Sequence, residues 1–272
     1  MRCLAALLFA SVPGLIAQDA REIVRKSVEL DQANWLRMKD YTWIANETER
    51  HLDSKGQVKS EESSKWETVV LYGEPHRRML ERDGKPLSSG DQRKEQQKLD
   101  KVVAKLESET DSQRHRCLEQ LEKEREKDRD FLREVVDLYD LRIEGQDKID
   151  GLEVWVISAT PNPGYEPKRR DARPLLNIKG KIWIDKAEYQ WVRIEAETTG
   201  VISWGLFLAR LNAGAKLLFE QTRVNDEIWL PKFERVSGSG RLGLVKKIAL
   251  EQDLTWSNYR KFQVDSKIVA TQ

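Results

Sequence analysis

Cysteine is nearly absent from the 272-residue chain, which has two, Cys3 and Cys117. Cys3 falls in an N-terminal stretch with the features of a removable leader, and an internal disulfide needs two cysteines. The fold is therefore expected to rest on its noncovalent core, even in an oxidising compartment. Cys117 reads as a small apolar residue on a helix face, the alternatives being an intermolecular bridge or a reactive thiol. Histidine is as scarce: His51, His76 and His115 stand far apart, and with one cysteine they draw no zinc-ligand spacing. An excess of either charge is missing too, since removing Arg2 with the leader brings the 47 basic residues level with the 46 acidic ones. A nucleic-acid binder needs a basic excess, so that class is excluded. Long apolar runs are also lacking. After residue 20 the best candidate, GVISWGLFLARL around Val201 to Leu211, is too short to span a bilayer, and the mature chain is expected to have no transmembrane segment.

What the chain does have begins with MRCLAALLFASVPGLIA. One basic residue, Arg2, precedes an apolar core from Leu4 to Val12, then Pro13, Gly14 and Ala17. That order reads as a secretory signal over residues 1–17, cut after Ala17. No cysteine follows Ala17 directly, so the lipobox of a lipoprotein is missing and a periplasmic product without a lipid anchor is expected. Residues 18–272 then read as a single domain, a length that one large antiparallel sheet accommodates.

Past the leader, Ile23, Val24, Ser27, Val28, Asp31 and Trp35 recur at helical spacing, with Asp19 as a cap, and predict a helix over Ala20–Met38. Strands follow over Thr42–Leu52, through KWETVVLYG and through HRRMLERDGKPLS, with turns at SKG and at Asp83-Gly84. The chain then changes character. Between Asp91 and Glu134, 25 of 44 residues are charged, yet Leu99, Val102, Val103 and Leu106, then Cys117, Leu118 and Leu121, then Phe131, Leu132 and Val135 keep a 3.6-residue period. Two amphipathic helices with a break near Thr110–Gln113 are expected in this insert, residues 91–136. It is either a solvated hairpin laid on the sheet or a movable lid or docking surface. Strands resume in DLYDLRIEGQDKIDG, LEVWVISATP, KGKIWIDK, YQWVRIEAET, AKLLFEQTRVND, EIWLPKFERVSG and LVKKIALEQDLTWSNY. Most connections are too short for helical crossovers, so the sheet is antiparallel. About ten such strands should curl. The fold class expected is α+β, a strongly curved half-barrel sheet wrapped around helices.

Motifs for chemistry are weak. Gly238, Gly240 and Gly243 match GxGxxG, but a strand rather than a helix follows, so a glycine bend in a meander explains them. No GxSxG elbow, metal constellation or marked acid-base pair emerges, so neither an enzyme nor a cofactor is expected.

The order of leader, opening helix, strands, helical insert and long meander, with GKIWIDKAEYQWVRIEAE (Gly180–Glu197) and VNDEIWLPKFERV, resembles the LolA-like outer-membrane lipoprotein-sorting family. The resemblance spans roughly Asp19 to Phe262. It implies a half-barrel, open on one side and closed by helices, whose apolar concavity carries acyl chains across the periplasm. The charged insert is longer than a small carrier needs, and no cargo-binding position of the family carries over. The residues supply their own candidates. Val192, Ile194 and Ala196 alternate with Trp191, Arg193, Glu195 and Glu197, as in a half-buried strand. Trp43, Trp66, Trp155, Trp183, Trp191, Trp204, Trp229 and Trp256 fall in strands or at their edges, as core or as the wall of a cavity. The stretch with Trp204, Leu206 and Phe207 is either a buried strand or a greasy rim. The loop with Lys168, Arg169, Arg170 and Arg173 is either a solvated connection or a contact for anionic headgroups or an acidic partner. The expected function is binding or carriage of hydrophobic cargo, lipoprotein acyl chains or lipid. The alternative is a periplasmic sensor or scaffold that binds a protein partner through the same fold and the insert.

Overall fold

The computed structural model describes residues 19–38, 40–71, 74–204, 209–242 and 246–261. The leader and Leu206 and Phe207 lie outside them. The chain opens with α1 (Ala20–Met38), as expected. Asp19 begins it, its side chain accepting from the Arg21 backbone N–H at 3.0 Å. Ala20, Ile23, Val24 and Ser27 are buried along one face of α1, the i, i+3, i+4, i+7 stripe of a helix laid on a core.

Three strands follow, β1 (Tyr41–Leu52), β2 (Val58–Leu71) and β3 (Glu74–Arg82), with a two-residue β4 (Lys85–Pro86). Asp83 and Gly84 both have positive φ, 50° and 70°, as the expected tight hairpin turn requires. The insert forms α2 (Ser89–Glu107) and α3 (Asp111–Leu138). The break between them is fixed by Thr110, whose hydroxyl caps α3 in a capping box with Gln113. Then come β5 (Tyr139–Ile149), β6 (Leu152–Pro161), a 3-10 helix (Arg170–Asn177), β7 (Ile178–Asp185), β8 (Trp191–Thr198), β9 (Ile202–Trp204), β10 (Ala209–Leu211), β11 (Lys216–Val224), β12 (Ile228–Leu242) and β13 (Lys246–Lys261).

All thirteen strands belong to one antiparallel sheet, in the order β4-β3-β2-β1-β13-β12-β11-β8-β7-β6-β5, with β9 and β10 attached through β12. The path ends in β4 and β5, which do not pair with each other, so the half-barrel stays open. The first strands join the last through β1 and β13. The sheet exceeds the ten or so strands expected because β4, β9 and β10 are only two or three residues long.

The sheet is filled mainly by α1, not by the insert. Ile23 and Val24 pack with Val136, Ile157 and Ile184 in one cluster. Arg21 ties the end of α3 to this helix, donating to the carbonyls of Val136 (2.8 Å) and Tyr139 (3.2 Å). α2 instead lies at the other end of the sheet, against β3, where Glu95 accepts from the Met79 backbone N–H at 3.2 Å. Between positions 112 and 127 every side chain described on α3 is exposed. That corrects the expected burial of Cys117, whose side chain is exposed.

Gly238 and Gly240 of the GSGRLG run have a different cause from a bend, while Gly243 lies outside the described residues. β12 continues through Gly238 and Gly240. A Cβ on Gly240 would collide with the Arg210 carbonyl oxygen, and one on Gly238 would fall 2.8 Å from the Ala215 Cβ. Close approach of β10 and the turn after it demands glycine there.

Replacing Ile23, which is fully buried, by alanine is expected to lower unfolding stability by about 2–5 kcal/mol, the usual cost of a core cavity. A urea titration followed by circular dichroism measures it, and a loss under about 1 kcal/mol would mean that α1 is not the principal filler of the sheet.

Candidate functional site

Cross-strand register decides which residues share a face. Ile157, Ile182, Ile194, Phe219, Glu234 and Leu254 are successive partners across β6, β7, β8, β11, β12 and β13. Since directly paired residues point to the same side, they form one row. Ile157 and Ile182 touch the α1 cluster, so the row lies on the α1 face.

Aromatic rings flank this row. The Trp191 and Phe219 ring centroids are 5.0 Å apart, and those of Phe219 and Trp256 6.1 Å. Trp256 is paired with Ala45, and Ala45 with Trp66. Trp155, ring to ring with Tyr189 at 5.2 Å, extends the band toward β6. Trp43, two residues before Ala45, shares the face and stacks near Tyr259 at 6.2 Å. Trp155, Trp191, Ile194, Phe219, Leu254, Trp256, Trp66 and Trp43 are all partly buried, so each keeps some surface in solvent. Ala159, Gly180 and Ala196, one row further on, are small. A side chain on Gly180 would run into the Glu195 carbonyl oxygen, so glycine lets the strands crowd there.

Two polar fixtures anchor the band. Asp31 of α1 accepts from Trp191 Nε1 at 3.0 Å. Burial pushes the Asp31 carboxyl above its ordinary value, outweighing its hydrogen bonds from Trp191 and Gln221. At the other end the Arg77 guanidinium stands 4.6 Å over the Trp66 ring and 3.5 Å from Glu47.

The sequence candidates divide between faces. Trp43, Trp66, Trp155, Trp191 and Ile194 are brought together on the α1 face. Trp183, Val192 and Trp229 are not: they are buried with Val154 in a separate cluster that includes Ile149, Leu152 and Val156. Trp183 sits between Ile182 and Ile184, which face α1, and so points to the opposite face. The expected alternation over Trp191–Glu197 is corrected for the same reason. Ile184 pairs with Trp191 and Trp183 with Arg193, leaving Val192 as a bulge, so Trp191 and Ile194 share a face from which Val192 is turned away. The Trp204 side chain, with Leu206 and Phe207, is outside the described residues. Phe219, Glu234 and Leu254 were not singled out from sequence, although the alternation Leu217, Phe219, Gln221 carried a signal for the first.

The basic loop is a packed connection. Its 3-10 helix seals Ala172 against Leu138. Buried Glu134 accepts from the Lys168 backbone N–H at 2.5 Å and the Arg169 N–H at 3.4 Å. Arg169 is committed to Asp171 through two hydrogen bonds of 3.0 and 2.7 Å, while Lys168, Arg170 and Arg173 are exposed.

Away from the Trp183 cluster the opposite face carries a ladder of charges: Lys181–Glu144 at 2.6 Å, Arg193–Glu220 at 2.6 Å, Arg235–Asp253 at 2.6 Å and Arg50–Asp253 at 2.9 Å. A cavity of about 530 Å³ opens on that side, lined by Ser158, Lys181, Glu195, Leu218 and Arg235 among others. Its charged lining suits water better than an apolar ligand. Among the described residues no group of three or more His, Cys, Asp or Glu side chains is arranged to hold a metal ion.

The fold and this face define a half-barrel with an apolar, aromatic-lined inner surface. No family model matches the chain, and no curated protein matches it. Its fold is similar to that of a Vibrio parahaemolyticus domain described as outer membrane lipoprotein-sorting, at 11% identity and a TM-score of 0.37, over 90% of this chain and 95% of that one. It is also similar to a LolA superfamily protein from Nitrosomonas europaea, at 11% identity and 0.31, over 91% and 96% of the two chains. The Pseudomonas aeruginosa MucA/MucB complex gives 11% identity and 0.25, over 91% of this chain and all of that one. These are likenesses of fold outline.

Asp31 makes stability depend on pH. A carboxyl that holds its proton more tightly folded than unfolded contributes most below its ordinary value of 3.8, and that contribution is lost as the pH rises through the raised folded value. Asp31→Asn, which keeps the acceptor for Trp191, is therefore expected to be more stable than the parent at pH 7 and to lose that advantage in acid. Urea midpoints of both proteins at pH 7 and pH 3 decide it, and an unchanged difference would mean that Asp31 is not desolvated.

Proposed function

We propose that this protein binds hydrophobic cargo of the acyl-chain type, from lipid or lipoprotein, along the aromatic band of its α1 face. The observation that carries this reading is the band itself. Trp191, Phe219, Trp256 and Trp66 lie on one face of four strands beside Ile194 and Leu254, all partly in water, while the opposite face is charged. Removing apolar surface from water contributes about 25 cal/mol per Å², so a chain laid along these rings is held by shielding, without covalent chemistry. No catalytic step is part of this reading. The leader read in residues 1–17 supports export, and with it action in the periplasm.

A second reading, a scaffold for a protein partner, is favoured by α3, whose described side chains between 112 and 127 are exposed. A charged helix surface left in water suits contact with another chain. Reversing the exposed charges Lys123, Lys127 and Arg116 to Glu would abolish a complex seen in periplasmic extract under that reading, and leave it intact under the first.

The mature protein, titrated with the neutral fluorophore N-phenyl-1-naphthylamine, is expected to enhance its emission saturably. Phe219→Ala and Trp256→Ala should each weaken binding about tenfold, equivalent to roughly 1.4 kcal/mol. Leu218→Ala, on the charged face, should leave it unchanged. No enhancement, or equal losses from all three variants, would sink the apolar-site reading.

A further inference from the structure

Within the row Ile157, Ile182, Ile194, Phe219, Glu234 and Leu254, one member is charged. Glu234 stands between Phe219 of β11 and Leu254 of β13, and Phe219 is in ring contact with both Trp191 and Trp256. Its neighbours in sequence face the other way. Arg235 is spent on Asp253, through Nε at 2.6 Å and Nη2 at 2.9 Å, and Phe233 stands under the Arg235 guanidinium at 5.5 Å. Glu47, the next acid along the row, is satisfied by Gln252 at 2.5 Å and Arg77 at 3.5 Å. Among the described residues Glu234 has no ion pair and no hydrogen-bond donor to its side chain.

A carboxylate placed in an apolar row is costly unless something compensates it. Burial raises the Glu234 carboxyl above its ordinary range, with no opposing contact. A cation arriving from outside supplies what the chain does not, and the neighbouring rings favour the same charge, because aromatic faces attract ammonium groups.

We propose that the aromatic band is a site for a cationic amphiphile, an ammonium head on an apolar chain, with Glu234 receiving the head and the rings of Phe219 and Trp256 flanking it. This rests on the apolar-site reading above and adds to it the charge of the ligand. The tail would lie along Ile194, Ile182 and Trp191 toward α1.

The experiment is displacement of bound N-phenyl-1-naphthylamine by three twelve-carbon amphiphiles kept below their critical micelle concentrations: dodecyltrimethylammonium, dodecanol and dodecyl sulfate. With the parent protein the cation is expected to displace the fluorophore at a concentration about tenfold lower than the anion, the size of one desolvated charge and ring contact. Glu234→Gln, which keeps the shape and has no charge to leave unpaired, should bring the three within about threefold of one another, each displacement being scaled to the fluorophore affinity of that variant. Glu234→Lys should reverse the order. Circular dichroism at each end point confirms that the chain is still folded. Equal displacement by all three with the parent, a preference for the anion, or a cation preference that survives in Glu234→Gln would overturn the ligand charge while leaving the apolar site standing. Failure of the fluorophore to bind the parent would overturn both.

Discussion

A sheet of eleven strands in one path, at about 4.8 Å per strand, is roughly 50 Å across, whereas a 19-residue helix is about 28 Å long. The α1 helix can therefore cover only part of the face it lies on. It packs over β5, β7 and β12 and the end of α3, where Ile23, Val24, Ile157 and Ile184 close to full burial. Away from that cluster the same cross-strand rows continue through Phe219, Leu254 and Trp256 with the same apolar chemistry but only partial burial. The surface proposed as a site is the core of this protein carried past the element that covers it. The mismatch in width is what makes the inner face a candidate for a ligand.

The other face shows what the sheet does where no cover is intended. Lys181, Arg193, Arg235 and Arg50 pair across strands with Glu144, Glu220 and Asp253. Each such partly exposed pair contributes about 0–1 kcal/mol, too little to hold the sheet together. Their effect is to keep that face wet and to discourage other chains from stacking on it. Both signs are used in alternation there, as they are in the helical insert, so the 34% of charged residues coexist with a near-zero net charge.

Much of the architecture was legible because it is local. The bounds of α1 follow from a 3.6-residue stripe and Asp19, and the β3–β4 hairpin from Asp83-Gly84, each a matter of a few neighbouring residues. The pairing of β1 with β13 joins Ala45 to Trp256, and nothing short-range in the sequence encodes it. The division of the tryptophans was lost for a smaller reason. A bulge at Val192 shifts the side-chain phase by one residue, so counting by twos puts Val192 with Ile194 and sets Trp191 apart, the reverse of the structure. Trp183 and Trp229 likewise look like wall residues by type, and only their packing with Val154 and Val192 makes them core. Glu234 was invisible because acids are common in strands whose outer face is charged. Its meaning depends on knowing that its pair partners are Phe219 and Leu254.

That dependence bears on how a site of this kind gains selectivity. A band of isoleucine, leucine and aromatic rings takes almost any apolar chain, because burial is proportional to area and blind to detail. A single charge set into the band changes the comparison between ligands far more than it changes the total. A neutral ligand must leave the carboxylate uncompensated or protonated, and an anionic one adds repulsion, while a cation removes both costs at once. Glu47, the next acid on the same face, is held by Gln252 and Arg77, so its charge is already answered from within the chain. Glu234 is the acid in the row whose charge has been left for something else to answer.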